Sequence, residues 1–292
     1  MTRRRSAAQY GHHQAERRLG QALQDCNIAR EDVVLASKFG MHEGEEQRQY
    51  RGEDIGAALR ESLSALGTEY LDVYFVHWPG NMRSAAETVE ALEAAQAAGL
   101  IKCYGVCNFG SKDLKGFLDA GGRPVANQFH YNLLWRSIEP EVIPACLAAN
   151  CKVLCYSAVM QGMLSGDYSA PEQVPNGMRR TALFRGDSTP DSRHGGPGHE
   201  ELMFGALEAL RGVCERAGCS MIDAAIAWLL AQPAVGAVLV GAYTAEQVAA
   251  NAKLPPTIAP SVLEECGRAT GELKAAVGPV LDAWARESRI DR

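Results

Sequence analysis

Residues able to donate, accept or relay a proton recur in this 292-residue chain at one kind of place, the end of an apolar run. Lys38 stands near the end of "DVVLASKFG", His77 near the end of "YLDVYFVHW" and Asn108 near the end of "LIKCYGVCNFG". Gln128 lies in "PVANQFHYN", and the Tyr156-Ser157 pair lies in "CKVLCYSAV". An ammonium, an imidazole, two amides and a phenol suit proton transfer and hydrogen-bonded positioning. Metal chemistry is not indicated, because no CxxC pair or Cys/His ligand spacing occurs among the nine cysteines and seven histidines. A second phenol, Tyr10, stands in "SAAQYGHHQAERRLGQAL", which reads as an active-site turn leading into a helix. Only "MTRRR" precedes that stretch, and it holds no strand candidate.

The elements that would position these groups are six apolar runs of strand length: Asp32 to Gly40, Tyr70 to Trp78, Leu100 to Gly110, Pro124 to Asn132, Cys151 to Val159 and Ala234 to Ala242. Amphipathic stretches lie between them. One starts at a capping Ser84 with Glu87 three residues on and ends at Gly99, and another starts at Ser220 with Asp223. Nearly continuous apolar strands joined by helices predict a parallel sheet covered on both faces. A doubly wound open sheet would carry a GxGxxG after its first strand, and none is present. Polar groups at the carboxyl end of strand after strand favour a (β/α)8 barrel, although a closed barrel needs two strands more than these six.

The whole chain, residues 1–292, reads as one domain. Residues 167–199 are rich in Pro, Gly and Ser and are expected to form a long loop over the site, with residues 260–292 a C-terminal tail. The apolar fraction of 47% is enough for a sizeable core, and the net charge of −6 argues against nucleic acid or an anionic membrane as partner. No apolar run approaches the roughly 20 residues of a bilayer span. The basic start has no apolar segment of a secretory signal behind it, so the expected compartment is the cytosol.

The motifs occur in a telling order. "AxxYGxxxxE" at Ala7 to Glu16, "SKFG" at Ser37, "LGTEYLDVYFVHWP" at Leu66, "GVCNF" at Gly105 and "ANQFHYN" at Ala126 are followed by "YSAVMQGMLSG" at Tyr156 and "GAYTAEQVAAN" at Gly241. This series resembles the aldo-keto reductases over nearly the whole chain, to about Leu254. Any one motif is weak; the ordered series is not.

The resemblance implies an α/β (β/α)8 TIM barrel of aldo-keto reductase type, here lacking its first two strands and first helix. It implies an enzyme that reduces a small carbonyl compound with NADPH and without a metal. Tyr10 matches the proton donor. A phenol titrates near 10 in isolation, so a cation must stabilise its anion, and Lys38 matches the residue in that role. His77 matches the histidine that bonds the substrate oxygen. Asn108 and Gln128 match the pair that holds the nicotinamide carboxamide, and Tyr156 matches the ring on which the nicotinamide stacks. Ser157, Gly162, Leu164 and Gly166 fall in the pyrophosphate-binding loop, whose backbone N–H groups face the anion. Gly241, Gln247 and Asn251 fall in the segment that meets the adenosine half.

Three departures stand out. Arg5 occupies the place of an aspartate that pairs with the lysine in the family. Neither Tyr243 nor Gln247 is basic where relatives hold the adenosine 2′-phosphate, so NADH use is expected alongside NADPH. Cys107 stands where relatives usually have serine. The alternative reading, drawn from Arg5 and the missing strands, is a non-catalytic cofactor-binding or regulatory protein resembling the potassium-channel β-subunits. The remaining histidines, His12, His13, His42, His130, His194 and His199, read as structural or exposed.

Overall fold

The computed structural model describes residues 2–5 by their backbone, and residues 11–40, 48–253, 256–285 and 287–291 in full. Strands alternate with helices throughout. The strands are β1 (Thr2–Arg5), β2 (Val33–Phe39), β3 (Leu71–Val76), β4 (Ile101–Cys107), β5 (Ala126–His130), β6 (Lys152–Tyr156) and β7 (Val235–Val238). The helices are α1 (Gln14–Asp25), α2 (Gly52–Leu66), α3 (Ala85–Ala97), α4 (Ser111–Asp119), α5 (Val142–Ala148), α6 (Glu200–Ala217), α7 (Met221–Leu230), α8 (Ala245–Asn251), α9 (Pro260–Ala269) and α10 (Gly271–Val277).

All six strand candidates are strands, each trimmed at its ends. The seventh, β1, corrects the expectation that nothing strand-like precedes Tyr10. Thr2–Arg5 runs parallel to β2 in the register Thr2 to Val33 through Arg5 to Ala36. Three consecutive arginines carry no apolar signal, so this strand is defined by backbone pairing alone.

Two compact units divide the chain. The first comprises Met1–Asn127, Ala148–Cys151 and Arg289–Arg292; the second comprises Gln128–Leu147 and Lys152–Ser288. In the first unit β2, β3 and β4 also run parallel, with Lys38 opposite Phe75 and Val76 opposite Val106. Their core is apolar on nearly every position: Leu35, Phe39, Leu71, Tyr74, Phe75, Val76 and Val106 are all buried. Gly40 ends β2 at φ +95°, and a Cβ there would lie 2.4 Å from the Asn81 side chain. No other residue type fits that exit.

Asp72 anchors the start of β3. Its carboxylate accepts hydrogen bonds from the Leu35 N–H and Arg30, both at 2.8 Å, and pairs with Lys102 at 2.8 Å. Burial alone would raise this carboxyl, but Lys102, the Leu35 amide and Arg30 outweigh it and hold the group below its usual range. The Ser84 and Ser220 caps form as the spacing predicts. Their hydroxyls accept the Glu87 N–H at 3.1 Å and the Asp223 N–H at 3.0 Å.

In the second unit β6 and β7 run parallel. Between Asp167 and His199 the chain is irregular apart from short 3₁₀ turns at Pro171–Gln173 and Asn176–Met178. This segment buries Val174, Leu183 and Phe184, so its own apolar side chains hold it down.

Candidate functional site

The carboxyl ends of three neighbouring parallel strands bring Lys38, His77 and Asn108 together in the first unit. Lys38 is the penultimate residue of β2 and is 0% exposed. A solvated end charge is thereby excluded, since an ammonium withdrawn from water needs polar company. His77 follows β3 directly; it is 7% exposed, and its N–H donates to the Phe39 carbonyl at 3.1 Å. Asn108 follows β4, buried, in left-handed backbone at φ +59°. Its Nδ2 donates to the His77 carbonyl at 3.2 Å. The amide therefore fixes the segment that carries the imidazole.

A second layer supports these groups. Glu16 of α1 is buried although charged, and it accepts from the Ser37 hydroxyl at 2.5 Å. His13 bonds the other Glu16 oxygen. Ser37 precedes Lys38, so this contact docks α1 onto the lysine's strand. Asn127 clamps the segment after Asn108, accepting the Phe109 N–H at 3.3 Å and donating to the Phe109 carbonyl at 2.7 Å. Neither Glu16 nor Asn127 is among the residues expected from sequence to act. A charged residue on an amphipathic helix gives no sign of burial, whereas an amide beside Gln128 in an apolar run does signal a satisfied core contact. Tyr10 lies outside the described residues, as do His42 and the side chain of Arg5.

The second unit carries the other candidates. Gln128 is buried within β5, and Tyr156 ends β6 half-buried. The Tyr156 ring stacks on His130 with centroids 5.4 Å apart and 17° between planes. Asn132 donates to the Ser157 carbonyl at 3.0 Å and accepts the Leu134 and Trp135 N–H groups at 2.9 Å, so it joins the exits of β5 and β6. Ser157, Met160, Gln161, Gly162 and Gly166 all have positive φ, which makes a tightly wound loop. Within it the Gly162 and Leu164 N–H groups donate to the Val159 carbonyl at 3.0 and 3.2 Å. Those two donors are engaged inside the loop, and the Leu164 side chain is buried.

Gly241, Gln247 and Asn251 come together. Gln247 Oε1 accepts the Tyr243 N–H at 2.7 Å, and Asn251 Nδ2 donates to the Gly241 carbonyl at 3.0 Å. Tyr243 is 93% exposed, and α8 buries none of its residues. Of the remaining histidines, His12 is exposed, His13 and His199 are half-buried, and His130 and His194 are buried. Among the described residues no group of three His, Cys, Asp or Glu could hold a metal, and no helix is long and apolar enough to cross a membrane.

Parallel strands with intervening helices define an α/β protein, and its candidate site residues gather at the strands' carboxyl ends. The Aldo/keto reductase family model matches residues 6–256, and the chain belongs to that family. It is 28% identical over 264 residues to the NADH-specific methylglyoxal reductase of Escherichia coli, an alignment covering 84% of this chain and 76% of that protein. Its fold is that of the glycerol dehydrogenase of Gluconobacter oxydans, with a TM-score of 0.76, 24% identity, and coverage of 96% of this chain and 82% of the other. An aldo/keto reductase of Klebsiella pneumoniae solved with NADP and acetate has the same fold, with a TM-score of 0.65, 24% identity, and coverage of 99% and 84%.

Proposed function

We propose that this chain is an NAD(P)H-dependent reductase that converts a small aldehyde or ketone to an alcohol, with Tyr10 as proton donor. The observation that carries this reading is the grouping of buried Lys38, His77 and Asn108 at the ends of β2, β3 and β4, with Asn108 bonded to the His77 carbonyl. A buried ammonium and a buried imidazole at the ends of adjacent strands support an acid–base site. By the family's pattern, Asn108 and Gln128 would hold the nicotinamide carboxamide, and Tyr156 would carry its ring.

When bound, the reduced nucleotide supplies a hydride to the carbonyl carbon. The chain's own residues manage the oxygen. His77 bonds it and sets its direction. Tyr10 gives it a proton, and Lys38 lowers the cost of the phenolate left behind. Ser157, Gly162, Leu164 and Gly166 form the pyrophosphate loop at the β6 exit, where the Gly162 and Leu164 N–H groups already bond the Val159 carbonyl. Gly241, Gln247 and Asn251 shape the adenosine end. No basic residue stands at Tyr243 or Gln247, so NADH use is expected alongside NADPH. Similarity to a methylglyoxal reductase supports a small carbonyl substrate. The chain as one domain, residues 167–199 as a long loop over the site, residues 260–292 as a C-terminal tail and a cytosolic location complete the reading.

The test is steady-state oxidation of NADPH and of NADH, followed at 340 nm with methylglyoxal and 4-nitrobenzaldehyde as substrates. Turnover of either aldehyde that Y10F abolishes supports the reading. Nucleotide binding without turnover of any carbonyl would replace it with a cofactor-binding role.

A further inference from the structure

His130 is 1% exposed, yet neither of its ring nitrogens has a hydrogen-bond partner among the described residues. A buried imidazole without partners is costlier to the fold than a hydrocarbon ring of similar size. What His130 does have is a set of near-parallel rings around it. Trp135 lies 5.8 Å away at 7°, Tyr156 5.4 Å away at 17° and Trp284 5.5 Å away at 22°. Burial pushes its imidazole down to about 3, against a smaller upward pull from Asp282, so the ring is neutral at ordinary pH. His130 thus acts as a flat uncharged plate.

Tyr156 is the only half-exposed ring of this group that ends a strand. The torsion that turns a tyrosine ring about its own axis is soft and twofold, so a stacked neighbour is what holds its plane. A ring held beforehand in the plane a flat ligand needs loses less freedom on binding. We propose that His130 is a positioning residue that fixes the plane of the Tyr156 ring for the nicotinamide to stack upon. The proposal rests on the reading of Tyr156 as the nicotinamide's platform.

Its test is fluorescence titration of the full chain with NADPH and with NADH, for wild type and for H130F, H130L and H130Q, with melting temperatures measured alongside. The expected result is that H130L and H130Q bind about tenfold more weakly than wild type. H130F, which keeps a flat ring, restores binding to within about threefold while lacking both nitrogens. A merely structural role would move melting temperatures and leave the affinity of the folded protein unchanged. Unaltered affinity in H130L and H130Q, or H130F as weak as H130L, would overturn the proposal while leaving the cofactor reading in place. If neither ring-less variant folds while H130F does, His130 belongs to the core alone, and the positioning role is again overturned. Absence of binding by wild type would overturn the cofactor reading and this proposal together.

Discussion

Asn108 donates from its side-chain amide to the carbonyl oxygen of His77 at 3.2 Å, joining the exits of β4 and β3. The bond requires Asn108 to hold left-handed backbone, a region that asparagine tolerates better than most residues. N108A is expected to destabilise the chain by about 1–2 kcal/mol, because it loses the bond and strains the backbone. N108G relieves the strain and should recover part of that loss. Both should lower kcat/KM by about tenfold or more, since neither holds the His77 segment. Thermal unfolding and aldehyde kinetics on the three proteins check this. Full activity in N108G would show that the amide does nothing beyond accommodating the turn.

Lys38 is buried, and its proposed work is electrostatic. K38M keeps the volume and removes the charge. The expected outcome is a fall in kcat of about 10²–10⁴-fold, with nucleotide affinity within about threefold of wild type. A matched loss of affinity would instead place the lysine on the cofactor.

Asp72 couples stability to pH. Its carboxyl is held below the usual range in the folded chain despite the opposing effect of burial, by Lys102, the Leu35 amide and Arg30. A carboxyl lowered on folding stabilises the fold above its unfolded value, near 3.9, and loses that contribution as pH falls through the lower folded value. D72N is therefore expected to cost about 2 kcal/mol at pH 7. The gap from wild type should narrow below about pH 4. Urea unfolding at pH 7, 5 and 3 measures it, and a gap as wide at pH 3 as at pH 7 contradicts the assignment.

Asp113 shows the opposite sign. Asp291 lies beside it, and the Asp291 N–H donates to Asp113 at 2.7 Å while the Asp291 carboxylate accepts the Asp113 N–H at 2.9 Å. Burial raises the Asp113 carboxyl to about 6, the Asp291 N–H opposing it and the Asp291 charge adding to it. A group raised on folding stabilises the fold at low pH, and that contribution fades as pH rises through 6. D113N, which carries no charge, should melt a few degrees above wild type at pH 7.5, by about 1 kcal/mol. At pH 5 the advantage should shrink. An advantage that grows on acidification would show that the pair is not repulsive.

Much of this was legible in the sequence, and the exceptions have physical causes. Strands β2 to β7 announce themselves as mostly apolar runs, and β2, β3 and β5 are buried along most of their length. β1 does not, since Thr2–Arg5 is polar and only its pairing with Val33–Ala36 makes it a strand. Lys38, His77 and Asn108 stood out as polar groups closing apolar runs, which is where parallel sheets place their chemistry. The loop after β6 was harder. The left-handed turn at Met160 and Gln161 is favoured by neither residue, and it is this turn that spends the Gly162 and Leu164 N–H groups on Val159. From sequence His130 is only a structural or exposed histidine, because its partners Tyr156 and Trp284 lie far along the chain and only folding assembles the stack.

The central claim is hydride transfer to a carbonyl carbon, and isotope transfer tests it most directly. The chain is incubated with 4-nitrobenzaldehyde and with NADPH or NADH deuterated at both C4 positions, and the product is examined by proton NMR and mass spectrometry. The account predicts 4-nitrobenzyl alcohol carrying one deuterium on its carbinol carbon, formed by wild type and not by Y10F. Alcohol without that deuterium, or no alcohol from a protein that binds the nucleotide, would contradict it.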